Sequence, residues 1–269
     1  MEEVESFERT DNLFRLLLKL SLMIDKDVVI ISTKGWVLNV DIYYEIKGTG
    51  FPVVLLHGNG ENHHIFEETA EVLSKEYQVI MIDSRYHGLS IHEGELSYHQ
   101  MSIDVSDVID ELKINSYDVI GFSDGGIIAL LLALKDKRIK HMVIIGANTQ
   151  PQMIKSIYRL SMYLTLFCLL PFCTYNKKAR LKWKLQRLML KEPHIQYNDL
   201  KNIKIPVLVM AGEYDMIKEK DTLAIGKSLP YGTVKIIKQG NHFILRDMFK
   251  QTIREINLFL RVCHEEERL

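Results

Sequence analysis

Ser123, Asp215 and His242 are three side chains whose types and chain order suit them to breaking a carbonyl bond. A serine hydroxyl is a useful nucleophile only when a base removes its proton, and an imidazole base needs a carboxylate to fix its tautomer. Ser123 lies in Gly121-Phe122-Ser123-Asp124-Gly125, between the short apolar run Tyr117-Asp118-Val119-Ile120 and an apolar, helix-like stretch at 126–134. Gly-x-Ser-x-Gly at a strand-to-helix junction is the pattern of a nucleophile elbow. The glycines permit a tight turn, and the serine is held strained with its hydroxyl exposed. The bland reading is a plain glycine-rich turn, and the strand–turn–helix setting argues against it.

The partners follow downstream. Residues 206–212 read as a buried strand with Glu213-Tyr214-Asp215 just past its end, and 233–237 as another, followed by Gln239-Gly240-Asn241-His242-Phe243. Loops beyond the carboxyl ends of parallel strands are where open α/β sheets place their chemistry. Alone, Asp215 reads as a helix N-cap and His242 as a solvated loop histidine. The order Ser, Asp, His favours an orienting acid and a base. A strand at 51–56 leads into His57-Gly58-Asn59-Gly60, a loop able to aim the backbone N–H of Asn59 at a developing oxyanion, with the N–H of Asp124 as its partner. His57 itself reads as a residue that hydrogen-bonds neighbouring loops.

These loops need a frame, and the rest of the chain alternates in a way that supplies one. Strands are expected at 28–32 and 37–47, joined near Lys34-Gly35 into an antiparallel edge. The strand at 53–56 precedes a helix near 65–75, and that at 78–82 a helix near 103–112. A buried strand at 141–146 follows the elbow helix, and helices near 219–228 and 245–262 follow the last two strands. Repeated strand–helix units imply an α/β fold, a mostly parallel sheet covered by helices on both faces. Residues 151–200 break this rhythm. There, 157–172 is largely apolar and 177–191 is basic and helical in pattern, with Lys177-Lys178-Ala179-Arg180-Leu181-Lys182 reading as a solvated helix face. The apolar stretch 13–24 is interrupted by Arg15 and Lys19 and reads as an amphipathic helix packed on the domain rather than a secretory signal, with a dimer contact or a membrane touch as the alternatives.

Composition narrows the function classes. A chain of 269 residues suffices for one large α/β domain whose core needs no disulfide. A formal net charge of -1 gives no electrostatic argument for nucleic acid or an anionic membrane. Cys168, Cys173 and Cys263 lack Cys-x-x-Cys spacing and read as buried thiols in a reducing, cytoplasmic setting. His63, His64, His87, His92 and His99 lie close in sequence, but neither an HExxH nor a CxxC pattern accompanies them. The expectation is therefore no metal and no cofactor. The expected partner is a small-molecule acyl substrate, with no nucleic acid and no stable membrane insertion, in a monomer or homodimer.

Over about residues 28–265 the chain resembles the α/β-hydrolase-fold serine hydrolases. The matching stations are the His57-Gly58 loop, Asp83-Ser84-Arg85-Tyr86-His87-Gly88-Leu89-Ser90, the Ser123 elbow, Asp215 and His242. Tyr86 stands where the family's Asp-x-Arg-Gly-x-Gly-x-Ser loop has its first glycine. The elbow and Ile144-Ile145-Gly146-Ala147-Asn148 are similar to valacyclovir hydrolase, of the biphenyl-hydrolase-like group. The resemblance implies a hydrolase core of residues 27–150 and 201–269. It further implies a helical cap at 151–200, whose apolar side chains could line an acyl or aromatic pocket, and leaves 1–26 outside it as an N-terminal helical extension. It implies acyl transfer from an ester, thioester or amide to Ser123 and then to water. The closer likeness implies a preference for α-amino-acid esters, with Asp124 binding the amine; the alternative is that Asp124 caps the elbow helix. Rival readings are carbon–carbon bond hydrolysis or haloperoxidase chemistry on the same three residues, and a non-catalytic ligand-binding member of the fold.

Overall fold

The computed structural model describes residues 21–25, 28–37, 41–90 and 94–266. Six of its strands run parallel: β4 (Phe51–Leu56), β5 (Tyr77–Ile82), β6 (Tyr117–Phe122), β7 (Ile139–Ile145), β8 (Pro206–Gly212) and β9 (Tyr231–Ile237). Three more, β1 (Ser21–Asp25), β2 (Val28–Val37) and β3 (Ile42–Lys47), add an antiparallel edge. The sheet order is β1-β2-β3-β5-β4-β6-β7-β8-β9. The chain therefore starts its parallel part at β4, steps outward to β5, and returns past β4 to β6. That reversal opens a crevice at the carboxyl ends of the central strands.

Burial explains why these strands read as unbroken apolar runs. Val53, Val54, Leu55 and Leu56 are all fully buried. Successive strand residues point to opposite faces, so such a run needs cover on both. On one face Val54, Leu56, Ile80 and Ile82 pack with Val105, Val108, Ile127 and Leu130, from helices α2 (Tyr98–Glu111) and α3 (Asp124–Ala133). On the other, Val53, Leu55, Val79 and Met81 pack with Leu73 of α1 (Glu67–Leu73) and with Ile256 and Leu260, from the C-terminal helix.

Residues 151–191 hold two helices, α4 (Ser156–Leu169) and α5 (Lys177–Lys191). The short helix α6 (Tyr197–Leu200) then leads to β8, and α7 (Glu219–Ser228) follows β8. This insertion is fixed at its base by buried Asp221 of α7. The Asp221 carboxylate accepts from the N–H and hydroxyl of Thr149, at 2.9 and 2.7 Å, and from the Tyr197 hydroxyl.

Four expectations are corrected. The helical reading of 13–24 fails at its end, because Ser21–Asp25 is strand β1, laddered to Val28–Ser32; residues 1–20 lie outside the described residues. The expected turn at Lys34-Gly35 is absent: β2 pairs with β3 without interruption from Ser32↔Lys47 to Val37↔Ile42. A turn there would give up that ladder and the cross-strand ion pair of Lys34 and Glu45, at 3.0 Å. Helix α2 begins at Tyr98 rather than near 103, because the Ser97 hydroxyl caps it by accepting from the Gln100 N–H. The C-terminal helical stretch is divided at Met248 into α8 (Ile244–Asp247) and α9 (Phe249–Glu266).

Candidate active site

Ser123 sits between β6 and α3 with φ 53° and ψ -115°. A non-glycine residue in that region carries strain of about 1–3 kcal/mol, sustained only where the surroundings over-determine it. Here they do. The Ser123 N–H donates to the Ile145 carbonyl at 2.7 Å, and the Ser123 carbonyl accepts from Gly126 and Ile127 at 2.9 and 3.2 Å. Gly125 permits the turn, since a Cβ there would lie 1.9 Å from the Leu56 carbonyl oxygen. The start of α3 can thus press against β4 only with glycine at that position.

The three residues singled out from the sequence meet at the carboxyl ends of β6, β8 and β9. His242 Nε2 lies 3.0 Å from Ser123 Oγ, and His242 Nδ1 lies 2.7 Å from Asp215 Oδ1. Asp215 Oδ1 also accepts from the Ile217 N–H at 2.8 Å, which fixes the carboxylate plane. Asp215 and His242 are buried and Ser123 is half-buried. With Nδ1–H donated to Asp215, Nε2 presents its lone pair to the serine hydroxyl, as proton abstraction requires. Gly146 makes room for the ring. It has φ 64°, and a Cβ on it would approach His242 Cε1 to 2.8 Å.

Asn59 and Asp124 are joined by their side chains. The Asn59 amide donates to Asp124 Oδ2 at 2.9 Å and to the Leu185 carbonyl of α5 at 3.3 Å. Among the described residues no acceptor is recorded for the backbone N–H of either residue. Asp124 is the first residue of α3, so its carboxylate lies in the helix's first turn, as the helix-end alternative requires, while its Oδ2 is turned to Asn59. Burial pushes this carboxyl up to about 6, helped by the nearby Glu192 carboxylate and opposed by Asn59, the Tyr98 hydroxyl and His242. Glu61, whose carboxylate accepts from the Gly58 N–H at 3.1 Å, is likewise pushed up, chiefly by burial and then by Asp124.

Sequence reasoning missed Glu61, Tyr98 and Glu192. Glu61 lies two residues beyond Asn59 and was within reach of inspection. Tyr98 and Glu192 come from the start of α2 and the exit of α5, joined by a Tyr98 N–H to Glu192 bond at 2.9 Å. No local pattern links them to Ser123.

His57 is tied to neighbouring loops. Its Nδ1 lies 2.8 Å from the Gly58 carbonyl, and its Nε2 accepts from the Ser84 N–H at 3.0 Å. Burial and the adjacent His87 push it down to about 3, so it is neutral. The other histidines have their own polar partners, His63 with Asp83, His64 with Glu67, His87 with the Arg85 carbonyl and His99 with Lys135, although the His63 and His64 rings lie 4.1 Å apart and those of His57 and His87 5.1 Å; His92 lies outside the described residues. Tyr86 adopts the left-handed conformation that the glycine would provide, with φ 65°. Its hydroxyl bonds both the carbonyl and the N–H of Gly94, at 2.7 and 2.9 Å. A histidine–carboxylate group with no signal in the sequence lies at the opposite end of the sheet. There the Asp118 carboxylate pairs with His141 at 2.8 Å and His264 at 2.7 Å, fastening α9 to β6 and β7. Of the three cysteines expected to be buried only Cys263 is; Cys173 is half-buried. Cys168 is exposed because it lies on an α4 helix that buries little beyond Met162.

Comparison with known proteins matches this geometry to a family description. Residues 52–158 match the family model described as alpha/beta hydrolase fold. The chain is 34% identical over 105 residues to an sn-1-specific diacylglycerol lipase of Xenopus tropicalis, covering 37% of this chain and 33% of that protein. It is also 34% identical over 95 residues to the esterase YbfF of Escherichia coli, covering 35% and 37%. The matched stretch thus spans only about a third of the length of these curated relatives. An esterase from Exiguobacterium antarcticum superposes with a TM-score of 0.70 at 20% identity, over 82% of this chain and 95% of that one. Sheet order, elbow and family match together show that the chain has the alpha/beta hydrolase fold.

Proposed function

We propose that this protein is a serine hydrolase that cleaves a carboxylic ester of a small molecule through an acyl-enzyme. The observation that carries this reading is the continuous relay Ser123 Oγ, His242, Asp215, at 3.0 and 2.7 Å. Ser123 attacks the carbonyl carbon while His242 Nε2 takes its proton and Asp215 stabilises the imidazolium. The N–H groups of Asn59 and Asp124 receive the oxyanion. His242 then returns the proton to the leaving alcohol, and a water deprotonated by His242 releases the acid and restores Ser123. Residues 27–150 and 201–269 serve as the hydrolase core, with 151–200 as a cap over the site. That proteins with partial sequence likeness are named esterase and lipase supports the same class of substrate. A panel of p-nitrophenyl esters, amino-acid esters and acyl thioesters tests it; turnover of none would reject it.

The acyl group that fits best carries an α-amino group. Asp124 adjoins the nucleophile, its Oδ2 accepts from Asn59, and Glu61 and Glu192 add negative charge around it. Anionic groups beside a developing oxyanion oppose catalysis unless the substrate supplies a cation. An ammonium one carbon from the carbonyl does so. Comparing an α-amino-acid ester with its N-acetyl form tests this. Equal kcat/KM for the two rejects it.

A further inference from the structure

We propose that the outer face of the cap docks on an anionic lipid surface, with α4 lying in the membrane–water interface. On α4, Ile157, Leu160, Leu164 and Phe167 recur at intervals of three, four and three residues, which places them in one stripe. All four face solvent, with Ile157 at 69%, Leu164 at 57% and Phe167 at 76% exposure, while Met162 is the buried member of the helix. Exposed Phe172 and Tyr175 extend the apolar surface beyond the helix end. Side chains of this size in one contiguous patch mark an interaction site.

Charge selects the partner. Residues 151–191 contain nine lysines and arginines and no aspartate or glutamate. The chain's net charge of -1 hides this, because the acidic residues lie elsewhere. Lys177, Lys178 and Lys182 are exposed, and none of the nine is ion-paired among the described residues. A second copy seated on the same patch would bring two such basic faces together, since a two-fold contact pairs a surface with itself. A bilayer rich in anionic headgroups offers hydrocarbon for the stripe and negative charge for the lysines in one surface. Among the described residues no helix is long and apolar enough to cross a membrane, so contact of this kind lies on the surface. The basic helix α5 also carries the Leu185 carbonyl that the Asn59 amide reaches, so the helix that bears these lysines touches the loop beside Ser123.

Co-sedimentation of the full chain with vesicles tests this, using phosphatidylcholine alone and phosphatidylcholine with about 30% phosphatidylserine. The expected result is at least tenfold stronger partition onto the anionic vesicles, weakened by raising salt to about 0.5 M. A Leu164→Glu/Phe167→Glu variant and a Lys177→Glu/Lys178→Glu variant should each lose tenfold or more of that partition with unchanged thermal unfolding. Wild-type protein that stays in the supernatant with anionic vesicles overturns the proposal, as does binding that neither variant weakens. A lipid-free dimer that Phe167→Glu converts to monomer also overturns it, by making a second copy the occupant. None of these readouts depends on hydrolysis, so they stand apart from the test of Ser123.

Discussion

The side-chain amide of Asn59 donates to Asp124 Oδ2 at 2.9 Å across 65 residues of chain. It therefore joins the two residues proposed to supply the oxyanion donors. Asn59→Ala keeps its backbone N–H but removes this tether and the bond to α5. Since loss of one oxyanion donor costs about 3 kcal/mol, a loosened one should lower kcat about ten- to a hundredfold with little change in KM. Steady-state kinetics beside a melting curve check this. A variant that only melts earlier, with kcat intact, would make the tether purely structural.

Asp124 adds a pH signature. With its carboxyl pushed up to about 6 by burial, it is anionic above that pH and a neutral acid below it. The advantage of an amino-acid ester over its N-acetyl form should shrink about fivefold between pH 7.5 and 5, because Asp124 loses most of its charge while the substrate amine, only partly protonated at 7.5, becomes fully so. Taking the ratio of the two kcat/KM values cancels the protonation of His242, which both substrates share. Asp124→Asn should show no preference at either pH; a preference it retains would place the amine elsewhere.

The elbow and the order Ser, Asp, His were legible because each sits where an apolar strand ends, so local pattern and chemistry coincide. The parallel strands were legible for the same reason: runs such as 53–56 are buried on both faces and admit nothing polar. The edge was harder. Lys34-Gly35 carries turn residues, yet the ladder to β3 and the Lys34–Glu45 pair keep it in a strand. Tyr98 and Glu192 were hidden because they reach Asp124 only through tertiary packing. The cap's exposed stripe was hidden too, since 157–172 reads the same whether its apolar side chains face core or solvent.

Gly146→Ala should damage activity more than stability. The new methyl would meet His242 Cε1 at 2.8 Å and occupy a backbone with φ 64°. We expect a loss of about 1–3 kcal/mol in stability from the strained backbone. A displaced His242 should lower kcat a hundredfold or more. Chemical denaturation and ester turnover, measured on the same preparation, separate the two effects; near-normal kcat would mean that the ring does not depend on this space.

Acid should weaken the fold through His57. Its folded-state value is about 3, against about 6.5 in an unfolded chain. Between these values the unfolded state binds a proton that the folded state refuses, so stability falls as pH drops from about 6.5 towards 3. Above 6.5 the site has no effect. The slope from one such site is at most about 1.4 kcal/mol per pH unit. Urea unfolding of wild type and His57→Gln at pH 7, 6 and 5 should show a shallower decline in the variant. An unchanged slope would assign the acid sensitivity to other groups.

The central claim is that Ser123 is the nucleophile, and covalent labelling by a fluorophosphonate tests it most directly. Wild-type protein should be labelled once, at Ser123, with parallel loss of p-nitrophenyl ester hydrolysis. Ser123→Ala should fold normally, take no label and retain less than a thousandth of the turnover. Labelling at another residue, or Ser123→Ala turnover within tenfold of wild type, would contradict the account.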